Sequence, residues 1–388
     1  MPLLQHPLAI LAVLGAIIAA AEWLARRPYL RHLGTAFTAI LLTALVANLG
    51  LIPSSSPATP LYNGIFGYVA PLAIFYLMLG VNLGSLRQAG APMLLLFVLG
   101  TVGTLAGIVV AMVVVSGKQS IGPLFYALGG MFTGTYIGGS INFNAVAMHY
   151  GVSQQGTLFA AATAADNILS ALWIAATIAL PKVLNRFYPR KKALVPAPLS
   201  SETTTADPDA ETLNPRDAGI LIGLGFCALF LSEKLTTYLP GVPSVLILTT
   251  LALGLAQVPA INRLRGNRLL GLVCVYLFLA VVGAYCDIPA LLRDGHLALT
   301  LLALVTILVL VHAVITFGIG AWLKQDWDML SVASQANIGG SASALACARS
   351  LARPDLELPA ILVGALGNAT GTYWGLLVAE WMKTSGWF

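Results

Sequence analysis

The chain has 388 residues, 58% of them hydrophobic and only 9% charged, with mean hydropathy +0.86. A soluble domain carries roughly 25% charged residues, so a water-soluble surface is excluded and the chain reads as a polytopic membrane protein. The net charge of +5 is scattered over the ends of apolar runs, which argues against a nucleic-acid partner, and Cys227, Cys274, Cys286 and Cys347 lack metal-ligand spacing.

The first apolar run, near 7–25, has no Lys or Arg before it and Arg26, Arg27 and Arg31 after it. A secretory signal has the opposite arrangement. The run reads as a retained helix whose carboxyl end faces the cytoplasm. At about 20 residues per crossing, further apolar stretches follow at 33–52, 64–84, 91–115, 122–150 and 157–181. A gap at 186–216, rich in Pro, Ser, Thr, Asp and Lys, reads as a solvated linker. Six more stretches follow at 217–238, 243–260, 268–287, 297–322, 328–350 and 358–382. The expected organisation is a first repeat over 1–185, a linker over 186–216 and a second repeat over 217–388.

The fifth stretch of each half is interrupted. The first copy reads Gly134-Thr-Tyr-Ile-Gly-Gly-Ser-Ile-Asn-Phe-Asn144 and the second Gln335-Ala-Asn-Ile-Gly-Gly-Ser-Ala-Ser343. The Ile-Gly-Gly-Ser cores are 201 residues apart (Gly138 to Gly339), as are Asn167 and Asn368 in the sixth stretches. Backbone groups freed inside hydrocarbon cost several kcal/mol each unless buried in protein or facing a wet cavity. Matched interruptions, one per half, point to a transporter's binding site. Breaks are therefore expected near 122–150 and 328–350, with Gly138, Gly139, Gly339 and Gly340 letting the backbone unwind.

Charge bears on orientation. Arg26, Arg27 and Arg31 precede the second stretch, whereas Arg263, Arg265 and Arg268 follow the eighth. Both clusters favour the cytoplasm, so these equivalent helices run in opposite directions, as an inverted repeat requires. Six crossings per half would instead make the repeats parallel. The stretch 217–238, ending Ser232-Glu-Lys-Leu-Thr-Thr237, is the expected non-crossing segment.

Asp166 is the one carboxylate near the middle of a span. A charge there costs about 2.5–3.5 kcal/mol on insertion scales, which points to an ion or proton site. A hard monovalent cation takes oxygen ligands; Asp166, Asn167, Asn368, Ser140, Ser341 and Thr135 form the candidate ion-binding set for Na⁺. Tyr136, Asn142, Asn144, Gln335, Asn337 and Ser343 form the candidate solute-binding set. His312 is expected to be a satisfied core residue. No Walker loop, HExxH or G-x-S-x-G occurs, so enzyme chemistry is not expected, and no cofactor beyond a coupling Na⁺ or H⁺.

The motifs Thr133-Gly-Thr-Tyr-Ile-Gly-Gly-Ser140, Ala165-Asp166-Asn167 and Asn337-Ile-Gly-Gly-Ser341 resemble the YjcL-like family of predicted multi-pass membrane proteins, a domain of unknown function. The arrangement is also similar at fold level to the cation/proton antiporters and bile-acid sodium symporters. That resemblance implies an all-α inverted-repeat secondary transporter with two crossed discontinuous helices, a core and a panel. It also implies that Asp166 is the ion-binding acid, with Asn167 and Asn368 beside the crossing point. In the antiporters an acidic or Asn-Asp pair stands here; this chain reverses the order to Asp-Asn. The reading is an ion-coupled (Na⁺ or H⁺) carrier of a small polar or anionic organic solute in the inner cell membrane. The core would hold 91–181 and 297–382, and the apolar panel would offer a homodimer surface. A cation/proton antiporter and a non-transporting scaffold or sensor are the alternatives.

Overall fold

The computed structural model of the chain describes residues 2–27, 34–54, 59–81, 83–84, 86–190, 214–239, 242–286 and 295–385. Most of the 186–216 linker therefore lies outside the described residues. Among the described residues the structure is helical throughout, without a strand. Helices close their backbone hydrogen bonds internally, as hydrocarbon demands.

Among the described residues eight helices are long and apolar enough to cross a membrane. They are α1 (Pro7–Ala25), α3 (Pro60–Met78, with a π-turn at Ile65–Val69), α4 (Ala91–Val114), α7 (Gly156–Phe187), α8 (Pro215–Tyr238), α10 (Asn267–Ala284), α11 (Gly295–Trp322) and the helical run Pro354–Thr384, which contains α13 (Glu357–Thr384). Two shorter apolar helices, α2 (Gly34–Asn48) and α9 (Ser244–Ala256), accompany them. Three further segments are α5 (Phe125–Gly138), α6 (Ser140–His149) and α12 (Trp327–Ser350). Capping follows local chemistry: His6 accepts from the Leu8 N–H ahead of Pro7, and Asn214 accepts from the Asp217 N–H ahead of Pro215. The segment suspected of not crossing, 217–238, lies in α8, an unbroken helix of 24 residues.

The chain forms two compact units. The first comprises 1–80, 147–168 and 211–301. Within it α10 is central. A Cβ at Gly283 would strike the Ile40 carbonyl of α2, and one at Gly271 would lie 2.7 Å from Leu77 of α3. Phe278 meets Phe66 and Phe159 edge-on at 5.6 and 6.4 Å. Glycine lets these helices approach closely where hydrocarbon supplies little driving force.

The second unit comprises 81–146, 169–210 and 302–388. Here α4 lies against α11 through Gly103 and Gly107, whose added Cβ atoms would fall 3.2 Å from His312 and 2.6 Å from Leu308 backbone atoms. The same unit holds α5, most of α6, α12 and α13.

Candidate functional site

Both glycine motifs reverse the chain. Gly139 separates α5 from α6 with φ 96° and ψ 176°, and Gly340 interrupts α12 with φ 71° and ψ −168°. A side chain rarely adopts positive φ, so glycine is the residue that turns here at little cost. In the first motif a Cβ at Gly134 would lie 3.1 Å from Asn142 Cβ, and one at Gly130 would lie 3.2 Å from Val146. Along a straight helix residues 130 and 146 stand about 24 Å apart. In the second, Arg353 Nη1 reaches Asp326 at 2.7 Å and Asp328 at 3.0 Å, where a straight helix would separate 326 from 353 by about 40 Å. Each break is thus the tip of a helical hairpin. The expectation of discontinuous helices that continue across the membrane and cross is replaced by two helices that fold back. The helix breaks at Gly139 and Gly340 while Gly138 and Gly339 stay helical, and φ above zero fixes neither continuation nor return.

The hairpins are ordered along α13. Hairpin 1 (α5–α6) fills a ladder of glycines: a Cβ at Gly375 would lie 2.7 Å from the Gly130 carbonyl, and one at Gly371 2.5 Å from Asn142 Nδ2. A Cβ at Gly367 would strike the Ile137 carbonyl. Hairpin 2, the two arms of α12, meets the other end. A Cβ at Gly364 would lie 2.5 Å from the Ser341 backbone, and Arg349 pairs with Glu357 at 3.2 Å. The base of hairpin 1 therefore lies toward the carboxyl end of α13 and that of hairpin 2 toward its amino end. The tips meet between them. A Cβ at Gly139 would lie 3.9 Å from Gly340 Cα, and the Asn368 amide oxygen lies 3.6 and 3.9 Å from the Cβ positions of Gly139 and Gly340.

Seven sequence-predicted residues come together here: Gly138, Gly139, Gly340, Ser140, Ser341, Asn368 and, one step below the second tip, Gly339. Ser140 is exposed, while Gly139, Ser341 and Asn368 are half-buried. Ser341 Oγ donates to the Ile361 carbonyl at 3.2 Å. The carboxylates flanking hairpin 2, Asp326, Asp328, Asp355 and Glu357, pair with Arg353 and Arg349 by its base, and the residues named at the tips supply amides, hydroxyls and helix ends. The amino ends of both return arms start at Ser140 and Ser341, where helix N–H groups favour anionic ligands.

Most of the remaining predicted ligands in this unit are buried. Thr135 is buried, and its carbonyl accepts from the Gly139 N–H at 2.7 Å. Tyr136 is fully buried and stacks on Phe132 at 6.2 Å. Asn142 takes the Thr372 hydroxyl at 2.7 Å, tying hairpin 1 to α13, while its buried Nδ2 has no hydrogen-bond partner. Asn144 is also buried. Gln335 Oε1 accepts from Thr177 Oγ1 at 3.1 Å, and its Nε2 lies beside Gly339 with Ser343. Asn337 is buried against α4 and meets Thr101 Oγ1 at 3.1 Å. Turned so that its oxygen faces Thr101, its Nδ2 also donates to the Phe97 and Ala333 carbonyls at 3.3 and 3.2 Å, which satisfies the whole amide.

Asp166 and Asn167 stand on the part of α7 that belongs to the other unit. Asp166 is 8% exposed, and the Asn167 Nδ2 is buried without a hydrogen-bond partner. The helix itself contributes to both units, through 156–168 and 169–187.

Sequence reasoning missed the partners of one buried group and the whole of one cluster. His312 is fully buried between Thr104 Oγ1 on Nδ1 at 3.1 Å and Ser334 Oγ on Nε2 at 2.9 Å. Thr104 spends its one proton on the Tyr136 carbonyl at 2.9 Å, so its oxygen accepts from Nδ1–H. Ser334 accepts from Trp173 Nε1–H at 3.2 Å and donates to Nε2. Every proton is placed with a neutral ring, which fits the satisfied core histidine expected. The missed cluster is the clasp of Arg353 with Asp326, Asp328 and Asp355 (2.7 Å), in which the Arg side chain is 5% exposed. The alternation of acids at 326 and 328 with a base at 353 was its only sequence signal.

Comparison with known proteins agrees with the helical membrane architecture. Over 354 residues the chain is 27% identical to the uncharacterized membrane protein YjcL of Bacillus subtilis (strain 168), with 87% of each chain covered. A family match spans residues 9–385 and takes in both hairpins, α7 and α13, so the chain belongs to the family described as Protein of unknown function (DUF819).

Proposed function

We propose that this membrane protein is an ion-coupled secondary transporter of a small polar or anionic organic solute, working from the inner cell membrane. The observation that carries the reading is the meeting of two hairpin tips at Gly139, Gly340 and Asn368, halfway along α13. Irregular backbone at membrane depth is tolerated where it is buried or lines a cavity. Paired interruptions near the midplane are the arrangement by which transporters bind solutes through backbone groups and helix ends. The arms of α5 and of 327–339 are about 21 and 20 Å long, so hairpins entering from opposite faces reach each other within one bilayer of about 30 Å core.

The same elements support an inverted repeat. With the fifth stretch of each half returning to its own side, and the shorter α2 and α9 taken as crossings beside the eight long apolar helices, each half has five crossings: α1, α2, α3, α4 and α7, then α8, α9, α10, α11 and α13. Five is odd, so the halves are inverted and the conflict in the sequence count disappears without removing 217–238. The topology also sorts the charges. Of the 20 Lys and Arg residues only Lys118, Lys234, Arg293 and Lys383 fall on one side, leaving sixteen on the side of Arg26. That asymmetry matches the positive-inside rule.

In this reading the unit with both hairpins is the transport core and the unit with α1–α3 and α8–α10 is the panel. Solute binds at the tips, using the amino ends at Ser140 and Ser341 and the Asn368 amide. The coupling ion binds at Asp166. Helix α7 carries the coupling, because it belongs to both units. No Lys or Arg stands mid-span to pair an anion, so helix ends take that role. A ligand shifts the alternating-access equilibrium by its differential affinity for the two states.

The test is thermal stability of the detergent-purified protein in NaCl, KCl and choline chloride at equal ionic strength, for wild type and Asp166→Asn. Ion at 100 times its Kd stabilises the folded protein by about 2.7 kcal/mol. A Na⁺-specific rise lost in Asp166→Asn is expected for sodium coupling. A rise that depends on pH instead assigns the site to H⁺, and insensitivity to both sinks the coupling assignment. Ion flux in proteoliposomes without any organic solute would favour the antiporter.

A further inference from the structure

At the carboxyl end of α13 a cavity of about 420 Å³ opens beside the base of hairpin 1. Lys118, Lys383, Phe125, Tyr126, Pro123 and Met382 line it. We infer that this cavity binds the phosphate headgroup of an anionic phospholipid. The placement comes first. α13 has 28 residues and is about 42 Å long, which exceeds the hydrocarbon core of about 30 Å, so its last turn stands at headgroup depth. The lining then divides as a lipid does. Two ammonium groups supply the charge, while Phe125 and Met382 supply apolar wall.

The lysines are held in position. Lys383 Nζ stands 5.7 Å from the Tyr126 ring centre, a cation–π distance. Lys118 sits on a short helix, Gly117–Ile121, set by Ser116 at φ 52° and closed by Gly122 at φ 88°. Gly117 is packed there, since a Cβ would meet Met112 Sδ at 2.6 Å. The amino-terminal turn of α5 lines the same space, and its dipole adds to the two ammonium groups. Glu380 lies 3.8 Å from Lys383, but both are about half exposed, and such a pair contributes little. Exposed Trp381 marks the same level as an interfacial one.

The source of the phosphate is decided by experiment. The full-length protein in phosphatidylcholine nanodiscs is titrated with phosphatidylglycerol, and retained lipid is counted by native mass spectrometry. Phosphatidylglycerol is expected to be retained in preference to phosphatidylcholine. Lys118→Gln and Lys383→Gln each weaken that preference roughly fivefold, on the scale of one basic residue at an anionic surface, with melting in pure phosphatidylcholine unchanged. Wild-type preference in both variants overturns the assignment. So does competition by millimolar inorganic phosphate that abolishes lipid retention, since the cavity would then be a site for a soluble anion.

Discussion

The tightest constraint in the molecule is a contact between two glycines. A Cβ at Gly138 would overlap the Gly367 carbonyl and the Asn368 amide nitrogen, all backbone. Backbone cannot rotate away as a side chain can, so Gly138→Ala should cost at least the 1–3 kcal/mol typical of overpacking. Gly139→Ala has room, with its nearest neighbour 3.6 Å away, but keeps φ 96°, which costs roughly 1–2 kcal/mol. Thermal melting in detergent should therefore rank Gly138→Ala below Gly139→Ala; the reverse order would refute the tip geometry. Asn368→Ala removes only a half-buried amide and should melt within about 1 kcal/mol of wild type, since surface-like sites rarely cost more, while solute uptake is lost. These positions were legible in the sequence because a repeated Ile-Gly-Gly-Ser and a repeated Asn need no tertiary information. The neighbours that make Gly138 and Gly139 unequal were not, because they come from α13, more than 200 residues along the chain.

At the scale of elements, the break was legible and its sense was not. A glycine at positive φ permits a helix to resume in many directions, and the pattern around 340 is equally apolar in all of them. What distinguishes return from continuation is the clasp of Arg353 with Asp326, Asp328 and Asp355. Opposite charges 25 and 27 residues apart meet only if the helix folds back. That pairing could have been asked of the sequence, since buried acids and bases near a break must find partners. Arg353→Ala leaves Asp326 and Asp328 buried without their guanidinium and should cost about 3–5 kcal/mol, read as a fall in melting temperature. Arg349→Ala, whose pair with Glu357 is 63% and 31% exposed, should cost less than about 1 kcal/mol. Equal losses would mean that the clasp does not hold the hairpin closed. The Gly364, Gly367, Gly371 and Gly375 ladder went unread in the sequence, although its three- and four-residue steps mark one helix face. Its occupants, hairpin 1 at Gly367, Gly371 and Gly375 and hairpin 2 at Gly364, could not be read from α13.

For the whole molecule, the decisive question is on which side each connection lies. A chain of five crossings and one hairpin per half places Lys118 and Lys383 opposite Arg87, Arg265 and Arg349. A chain of six crossings per half would make the hairpin stretches cross instead, exchanging the sides of everything between 150 and 327, while the second crossing restores the sides beyond 350. The two schemes differ for Arg265 but agree for Lys118, so a pair of positions discriminates. With Cys227, Cys274, Cys286 and Cys347 replaced by Ala, single cysteines at 118 and 265 should react oppositely with a membrane-impermeant maleimide on intact cells. Position 118 labels directly, and position 265 only after permeabilisation. Both sites are suited to the assay, since Lys118 lines an open cavity and Arg265 follows the surface turn at 259–262. Labelling of both from outside would remove the inverted repeat, and with it the argument that the hairpins approach their meeting point at Asn368 from opposite faces of the membrane. Opposite labelling keeps the two-sided approach of the hairpins that the proposed carrier requires.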